Sequence, residues 1–452
     1  MSSAAPGASS GKAAAASGEM ATVDGLTHEG EGVVHAGKTV FVAGALPGER
    51  IRLRRTRRHR QHDDGELLEV LQPSALRVTP RCAHFGVCGG CLLQHLSSDA
   101  QLAAKQQQLR DALERVAKVT PGRWLPPLAG PVWGYRRRAR LGAKFVRKKD
   151  RVVVGFRERA APYVAQLAGC EVLCRPAAEL IAPLAAMLTG LAIREHVPQI
   201  EVAVADNATA LVLRVLKTPP AADLEQLTVF AAAHGVRLYL QPGGLGSVQP
   251  LGPAAEPLHY TLPRFGVQLQ FEPTDFIQVN GAINEALVAR ALELLEPAAD
   301  SRLLDLFCGL GNFTLALARH AAHVVGVEGD AALIERARGN ARRNGIANAE
   351  FHVANLAVAP AAHGCPWQRQ SYSHVLLDPP RTGAREVLAA VAALAPRRVL
   401  YISCHPGSLA RDLGVLVHEH GFTVEAVGVV DMFPHTAHVE SLALLSRAAA
   451  VV

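Results

Sequence analysis

Cysteine is scarce, with 8 residues in 452. That is too few for the disulfide scaffold on which small secreted domains rely, and it fits a reducing, cytoplasmic setting. No apolar run is long enough to cross a bilayer. The opening MSSAAPGASSGKAAAASGEM has small residues but no cationic start followed by an apolar stretch, so no secretory signal is expected. Membrane, secreted and disordered classes are set aside, and 49% hydrophobic residues suffice for ordinary cores in two or three domains.

What is present is unevenly spread. The net charge is only +7, but residues 51–160 hold 24 Lys and Arg against 9 Asp and Glu, leaving 23 against 31 elsewhere. A basic segment of that kind implies a polyanionic partner. It contains two runs, from Arg52 to Arg60 and from Arg136 to Arg151, placed to bind a phosphate backbone.

The pattern changes several times along the chain. Residues 1–19 are rich in Ala, Ser and Gly and read as a disordered tail. From 20 to 74, short β-like runs (Gly32–His35, Thr39–Val42, Arg50–Leu53) broken by Leu46-Pro47-Gly48 suggest a small β-barrel. Residues 75–274 read as an α+β middle domain. It opens with three close cysteines and a helix over about 98–119, apolar at Leu102, Leu109, Leu113 and Val116. From 275 to 452, helices alternate with apolar strands (302–306, 323–327, 374–377, 399–402), the rhythm of an α/β, Rossmann-like, doubly wound sheet. Residues 439–444 read as a last strand, edge or antiparallel.

The strand at 302–306 runs into Phe307-Cys308-Gly309-Leu310-Gly311-Asn312, a glycine turn opening a helix. Such turns let the backbone approach a ligand. Thr314 stands where a dinucleotide fingerprint needs its third Gly, which disfavours a pyrophosphate. Glu328 ends the next strand, where a carboxylate accepts from both ribose hydroxyls. This suits an adenosyl group. Asp305 is expected near the amino-acid end of S-adenosylmethionine (SAM), and Asp378, in Asp378-Pro379-Pro380-Arg381, in the methyl-donor pocket. Amine methyltransferases usually follow such a D/N-P-P with an aromatic, and Arg381 here favours methylation at carbon.

Cys404 follows the apolar strand 399–402, at the sheet edge where ligands of such folds bind. A thiolate there can attack C6 of a uracil, leaving C5 nucleophilic enough to take a methyl group. The C5 proton must then leave. Glu440, a lone acid in an apolar strand, is the candidate base, because burial raises a carboxyl pKa. A uracil within structured RNA has to be flipped out to reach Cys404.

Cys82, Cys88 and Cys91 are spaced C-x5-C-x2-C around Gly89-Gly90, with Cys170 or Cys174 to complete four thiolates. Spacing alone allows a [4Fe-4S] cluster or zinc. Radical-SAM enzymes use C-x3-C-x2-C, so that chemistry is disfavoured. Cys308 and Cys365 read as structural.

With these residues in hand, nearly all of the chain after residue 20 resembles the RNA uracil-C5 methyltransferases, in particular their iron-sulfur members acting on 23S rRNA. The resemblance implies a TRAM domain, a small RNA-binding barrel, over 20–74, carried by Phe41-Val42 and Leu46-Pro47-Gly48-Glu49. It implies a [4Fe-4S] cluster on Cys82, Cys88, Cys91 and Cys170, the last within Cys170-Glu171-Val172-Leu173. It implies SAM contacts from Gln278, Phe307, Asn312, Glu328, Asn355 and Asp378, with Cys404 as nucleophile and Glu440 as base. His405 and Ser408 depart from the family's usual Ser-Cys-Asn-Pro and following Thr. Typical tRNA-specific members lack barrel and cluster, so having both implies 23S rRNA as partner. No membrane and no obligate protein partner are expected, and the chain is expected to be a monomer.

Overall fold

The computed structural model describes residues 18–253, 255–359 and 364–447. The expected tail lies outside them up to residue 17, and its last residue, Glu19, already opens a strand. The chain divides into two compact units between Val78 and Thr79. Among the described residues no helix is long and apolar enough to cross a membrane.

In the first unit, Glu19–Thr22, Gly25–Leu26, Gly32–Ala36, Lys38–Val42, Arg50–Arg58 and His62–Gln72 make one six-stranded sheet. The strands at its two ends, Glu19–Thr22 and Gly25–Leu26, are joined by only two residues, so the sheet must roll over its apolar face. Val34, Val40, Val42, Ile51 and Leu53 point inward at alternate positions and fill the roll. Glu49 is fully buried, which is tolerable because its carboxylate accepts from the Leu46 N–H at 2.8 Å and from the Arg77 guanidinium at 2.8 Å. Those bonds hold its pKa below the usual range against the opposing effect of burial.

The basic runs present less free charge than their composition suggests. Arg52 pairs with Glu69 and Arg54 with Glu66, while Arg55 bridges Glu19 and Asp63 at 2.9 Å each. Arg138 and Arg140 both bond Glu201 from the neighbouring strand. Cross-strand pairing therefore consumes much of each run. Arg57, Arg58 and Arg60 stay exposed at one turn.

The second unit holds two large sheets. One runs in the order Gln249–Leu251, Val236–Gln241, Thr209–Arg214, Gln199–Val204, Arg138–Val146, Arg151–Gly155, covered by Ile181–Gly190 and Ala221–His234. The other has eight strands: Ala349–Val353, His323–Glu328, Arg302–Leu306, His374–Leu377 and Arg398–Ser403 run parallel, followed by Glu440–Arg447, Phe422–Val430 and Arg123–Trp124. The last expected strand is thus antiparallel but not at an edge. Residues 440–445 are buried without interruption, which requires neighbours on both sides.

The helix expected over 98–119 is Ser98–Ala112, continued by a π-helical turn, Leu113–Ala117. Its inward face is only half of the expected apolar stripe. Leu102 is half-buried and Val116 is 54% exposed, whereas Gln101, Lys105, Leu109 and Leu113, four apart, face the protein. Two polar residues can occupy that face because segment 431–435 satisfies them. Lys105 Nζ donates to Asp431 at 2.7 Å and to the Phe433 carbonyl at 2.9 Å, and Gln101 Oε1 accepts from the His435 N–H at 2.8 Å. Trp133 stacks on His435, ring centres 3.9 Å apart, and the Tyr135 hydroxyl donates to the Pro434 carbonyl.

Removing one partner of a buried ion pair leaves a bare charge. Lys105→Ala is therefore expected to lower stability by about 3–5 kcal/mol in urea unfolding, and Lys105→Met with Asp431→Leu to recover much of it. A double variant no more stable than the single one would show that the pair is not the clamp.

Candidate active site

Every element of the candidate site ends at one edge of the eight-stranded sheet. The turn after Arg302–Leu306 places Phe307 (φ 66°), Gly309 (φ 53°) and Gly311 (φ 88°) in the left-handed region. Phe307 is held there by its N–H bond to the Val327 carbonyl at 2.9 Å, a strained non-glycine position of the kind that marks ligand clamps. Glu328 braces the turn from the next strand, accepting from the Gly309 N–H at 3.2 Å and the Gly329 N–H at 2.6 Å. Cys308 packs against Gly326, where a Cβ would lie 2.9 Å from its Sγ.

Asp305 is the last residue but one of the strand Arg302–Leu306. It is fully buried under the turn, accepting from the Thr314 hydroxyl at 2.5 Å. Thr314, where the fingerprint glycine is missing, is thus the partner of this carboxylate. Burial pushes Asp305 up to about 7. Asn312 opens the helix Asn312–Ala318, and its side-chain oxygen accepts from Asn284 (2.8 Å) and the Tyr260 hydroxyl (3.0 Å) while its NH2 donates to Asn284 (2.9 Å). Sequence reasoning missed Asn284 and Tyr260, whose partnership with Asn312 needs three elements to meet. Asn355 is exposed beyond the strand Ala349–Val353, in a loop tied to Glu328 through the Ala354 N–H at 2.9 Å. Gln278 is half-buried between Ile277 and Val279, just before the helix Gly281–Leu295.

Cys404 follows Arg398–Ser403, and Glu440 opens the antiparallel neighbour. Because Ser403 pairs with Ser441, one further step along the register sets Cys404 against Glu440. Opposite positions in such a pair have Cβ atoms about 4.5–5.5 Å apart. Asp378 stands one residue past Leu377, which pairs with Tyr401 on the same strand as Ser403. Charge interactions reflect this grouping. Burial, reinforced by Glu440 and Asp378 and opposed by Arg381, raises the Cys404 thiol to about 11. Burial and Asp378 raise Glu440 to about 8, and burial alone raises Asp378 to about 7. The apolar strand implied the direction for Glu440. The surroundings of Cys404 thus disfavour its thiolate.

His405 takes over a capping role. Its Nδ1 accepts from the Ser408 N–H at 3.1 Å at the start of the helix Pro406–His418, which requires that nitrogen to be unprotonated. The Ser403 and Ser408 hydroxyls donate to the His405 carbonyl at 3.1 Å each. The turn carrying the thiol is therefore held on both sides.

Cys82, Cys88, Cys91 and Cys170 line one cavity of about 210 Å³ together with Arg136, Thr436 and His438. Cys174 does not line it. Each of Cys88, Cys91 and Cys170 is raised by burial, Cys91 to about 12, with neighbouring thiols adding to the push. A Cβ at Gly89 would sit 3.0 Å from the Arg157 carbonyl, so the two-glycine spacer lets the chain wrap closely. The cavity shares its wall with the segment leading to Glu440, and the Leu92 and Leu93 N–H groups both bond the His435 carbonyl.

Residues 264–448 match the protein family described as tRNA (Uracil-5-)-methyltransferase. The chain is 50% identical over 407 residues to the 23S rRNA (uracil(1939)-C(5))-methyltransferase RlmD of Xanthomonas axonopodis pv. citri (strain 306), covering 90% of this chain and 91% of that one. The RlmD of Stenotrophomonas maltophilia (strain K279a) matches to the same extent, 50% over the same shares. Among solved structures, the Pyrococcus abyssi tRNA (uracil-54, C5)-methyltransferase in complex with S-adenosyl-L-homocysteine aligns with a TM-score of 0.72 at 23% identity. It covers 94% of this chain and 100% of that one, and shows a shared fold.

Alkylation of Cys404 by iodoacetamide, followed at its peptide by mass spectrometry, is expected to be slow at pH 7 and to rise with pH toward about 11. Glu440→Gln removes a charge that raises the thiol, so its curve should move to lower pH. An unmoved curve would mean that Glu440 does not face Cys404.

Proposed function

The chain belongs to the RNA uracil-C5 methyltransferases, and from that premise we propose that it transfers the methyl group of SAM to C5 of a uracil in 23S rRNA. The observation that carries the reading is the register that sets Cys404 against Glu440 beside Asp378. Similarity to RlmD enzymes over nine-tenths of the chain supports the choice of rRNA.

In this mechanism Cys404 releases its proton to solvent and its sulfur adds to C6 of the flipped-out base, moving the C5–C6 π electrons toward the C4 carbonyl. C5 then takes the methyl group, and S-adenosylhomocysteine leaves. Glu440, raised to about 8, accepts the C5 proton; the C5–C6 double bond re-forms and expels the thiolate. Glu328 is suited to the ribose hydroxyls, Phe307 and Asn312 to the rim of the adenosyl pocket, and Asp378 to the charged sulfonium side. Gln278 and Asn355 complete the proposed SAM contacts.

Cys82, Cys88, Cys91 and Cys170 would hold a [4Fe-4S] cluster. Four thiolates suit either structural zinc or a [4Fe-4S] cluster, and the resemblance to the iron-sulfur members of the family supports the cluster. Bound there, the cluster supplies cross-linking of residues 82–91 to Cys170. The rolled N-terminal sheet is read as a TRAM-type RNA-binding barrel over residues 20–74, and residues 75–274 as the domain bearing the cluster.

RNA tritiated at uracil C5 tests the reaction. SAM-dependent tritium release from 23S rRNA and not from tRNA is expected, lost in Cys404→Ala. Glu440→Gln should transfer the methyl group and then stall as a covalent protein–RNA adduct visible on denaturing gels. Release from tRNA alone would keep the chemistry and overturn the substrate, and normal turnover by Glu440→Gln would remove it as the base. For the cluster, iron in anaerobically purified protein should be lost in Cys170→Ser and kept in Cys174→Ser. The reverse pattern would exchange the fourth ligand.

A further inference from the structure

We propose that His59, His62 and Asp64 form a binding site for one divalent transition-metal ion of the zinc class, at the turn joining Arg50–Arg58 to His62–Gln72. One ligand atom from each of the three lies within 4.8 Å of the others. His59 Nε2 is 3.0 Å from Asp64 Oδ2, and His62 Nε2 is 3.8 Å from Asp64 Oδ1. Ligands bound at 2.0–2.1 Å to a tetrahedral zinc stand about 3.3–3.4 Å apart, a spacing these distances bracket.

The turn itself presents the three groups. The His59 N–H bonds the His62 carbonyl at 3.0 Å, and the Thr56 hydroxyl donates to the Asp64 carbonyl at 3.2 Å. The two imidazoles stack with centres 4.4 Å apart, and Phe41 packs 4.8 Å from His62. All three side chains are half-buried, which limits their freedom before a ligand arrives. Arg57 stands opposite Asp64 in the strand register. Among the described residues, however, the Asp64 carboxylate is partnered by the two imidazoles and not by an arginine. Two imidazoles and one carboxylate suit zinc and its neighbours in preference to magnesium or calcium. A metal here would tie together the turn that displays Arg57, Arg58 and Arg60, and would leave one tetrahedral position for water.

The test uses full-length protein purified anaerobically, equilibrated with one equivalent of zinc chloride, separated from free metal and assayed for zinc and iron together. One zinc per chain with unchanged iron is expected. Zinc should be kept in Arg58→Gln and lost in His62→Gln and Asp64→Asn, which should bind more than about a hundredfold more weakly, beyond the cost of losing an outer-shell partner. A second readout needs no variant. Zinc should protect His59 and His62, but not the exposed His28, from diethylpyrocarbonate. Equal zinc in wild type and His62→Gln, zinc gained only as iron is lost, or no protection of either histidine would each overturn the site.

Discussion

Three carboxylates with little water around them share one edge of a parallel sheet, and this concentration of negative charge governs how the site can act. Asp305 and Asp378 are pushed up to about 7 and Glu440 to about 8, while the thiol between the last two is pushed up to about 11. Each group is raised mainly by its own burial, and all but Asp378 further by neighbouring acids. The pocket is thus poor at holding several anions and well matched to a ligand with a fixed positive charge such as a sulfonium. Such a charge would favour the carboxylates and the thiolate together, because Coulomb interactions are strong where water is excluded. The nucleophile is then weak while the donor is absent, which guards it against stray alkylation.

Much of this was legible in the sequence, and the boundary is instructive. The parallel strands at 302–306 and 374–377 could be read to the residue from their apolar runs, and Cys404 stands out because it follows one directly. That Glu440 faces Cys404 depends on the Ser403–Ser441 register, which is a long-range pairing with no local trace. The same limit applies to the helix at Ser98–Ala112. Leu109 and Leu113 turn inward as their spacing suggests, but the same side carries Gln101 and Lys105, whose bonds to His435 and Asp431 span more than 300 residues. Thr314 could be seen only as a missing glycine, since its bond to Asp305 needs the turn to be folded.

Charge counting illustrates the opposite error. Residues 51–60 look like a continuous cationic strip, yet antiparallel pairing with His62–Gln72 sets acids beside three of its arginines. Among the described residues of the strip, Arg57, Arg58 and Arg60 at the turn stay exposed, so its free charge is confined to one point. Polarity is similarly concentrated at segment 431–435, where Lys105, Gln101, Trp133 and Tyr135 converge from the middle of the chain. That anchoring fixes the approach to Glu440 at the same place where the cysteine cavity has its wall.

The position of Glu440–Arg447 in the sheet has a consequence for synthesis. This strand is slotted between two that precede it in the chain, so the antiparallel half of the sheet cannot close until residue 447 has left the ribosome. Until then a nascent chain carries Cys404 on a formed parallel core with no carboxylate opposite it and an open edge beside it. Long-range strand insertion of this kind is slow and leaves sticky intermediates. Competence for turnover therefore waits on the insertion of this one strand.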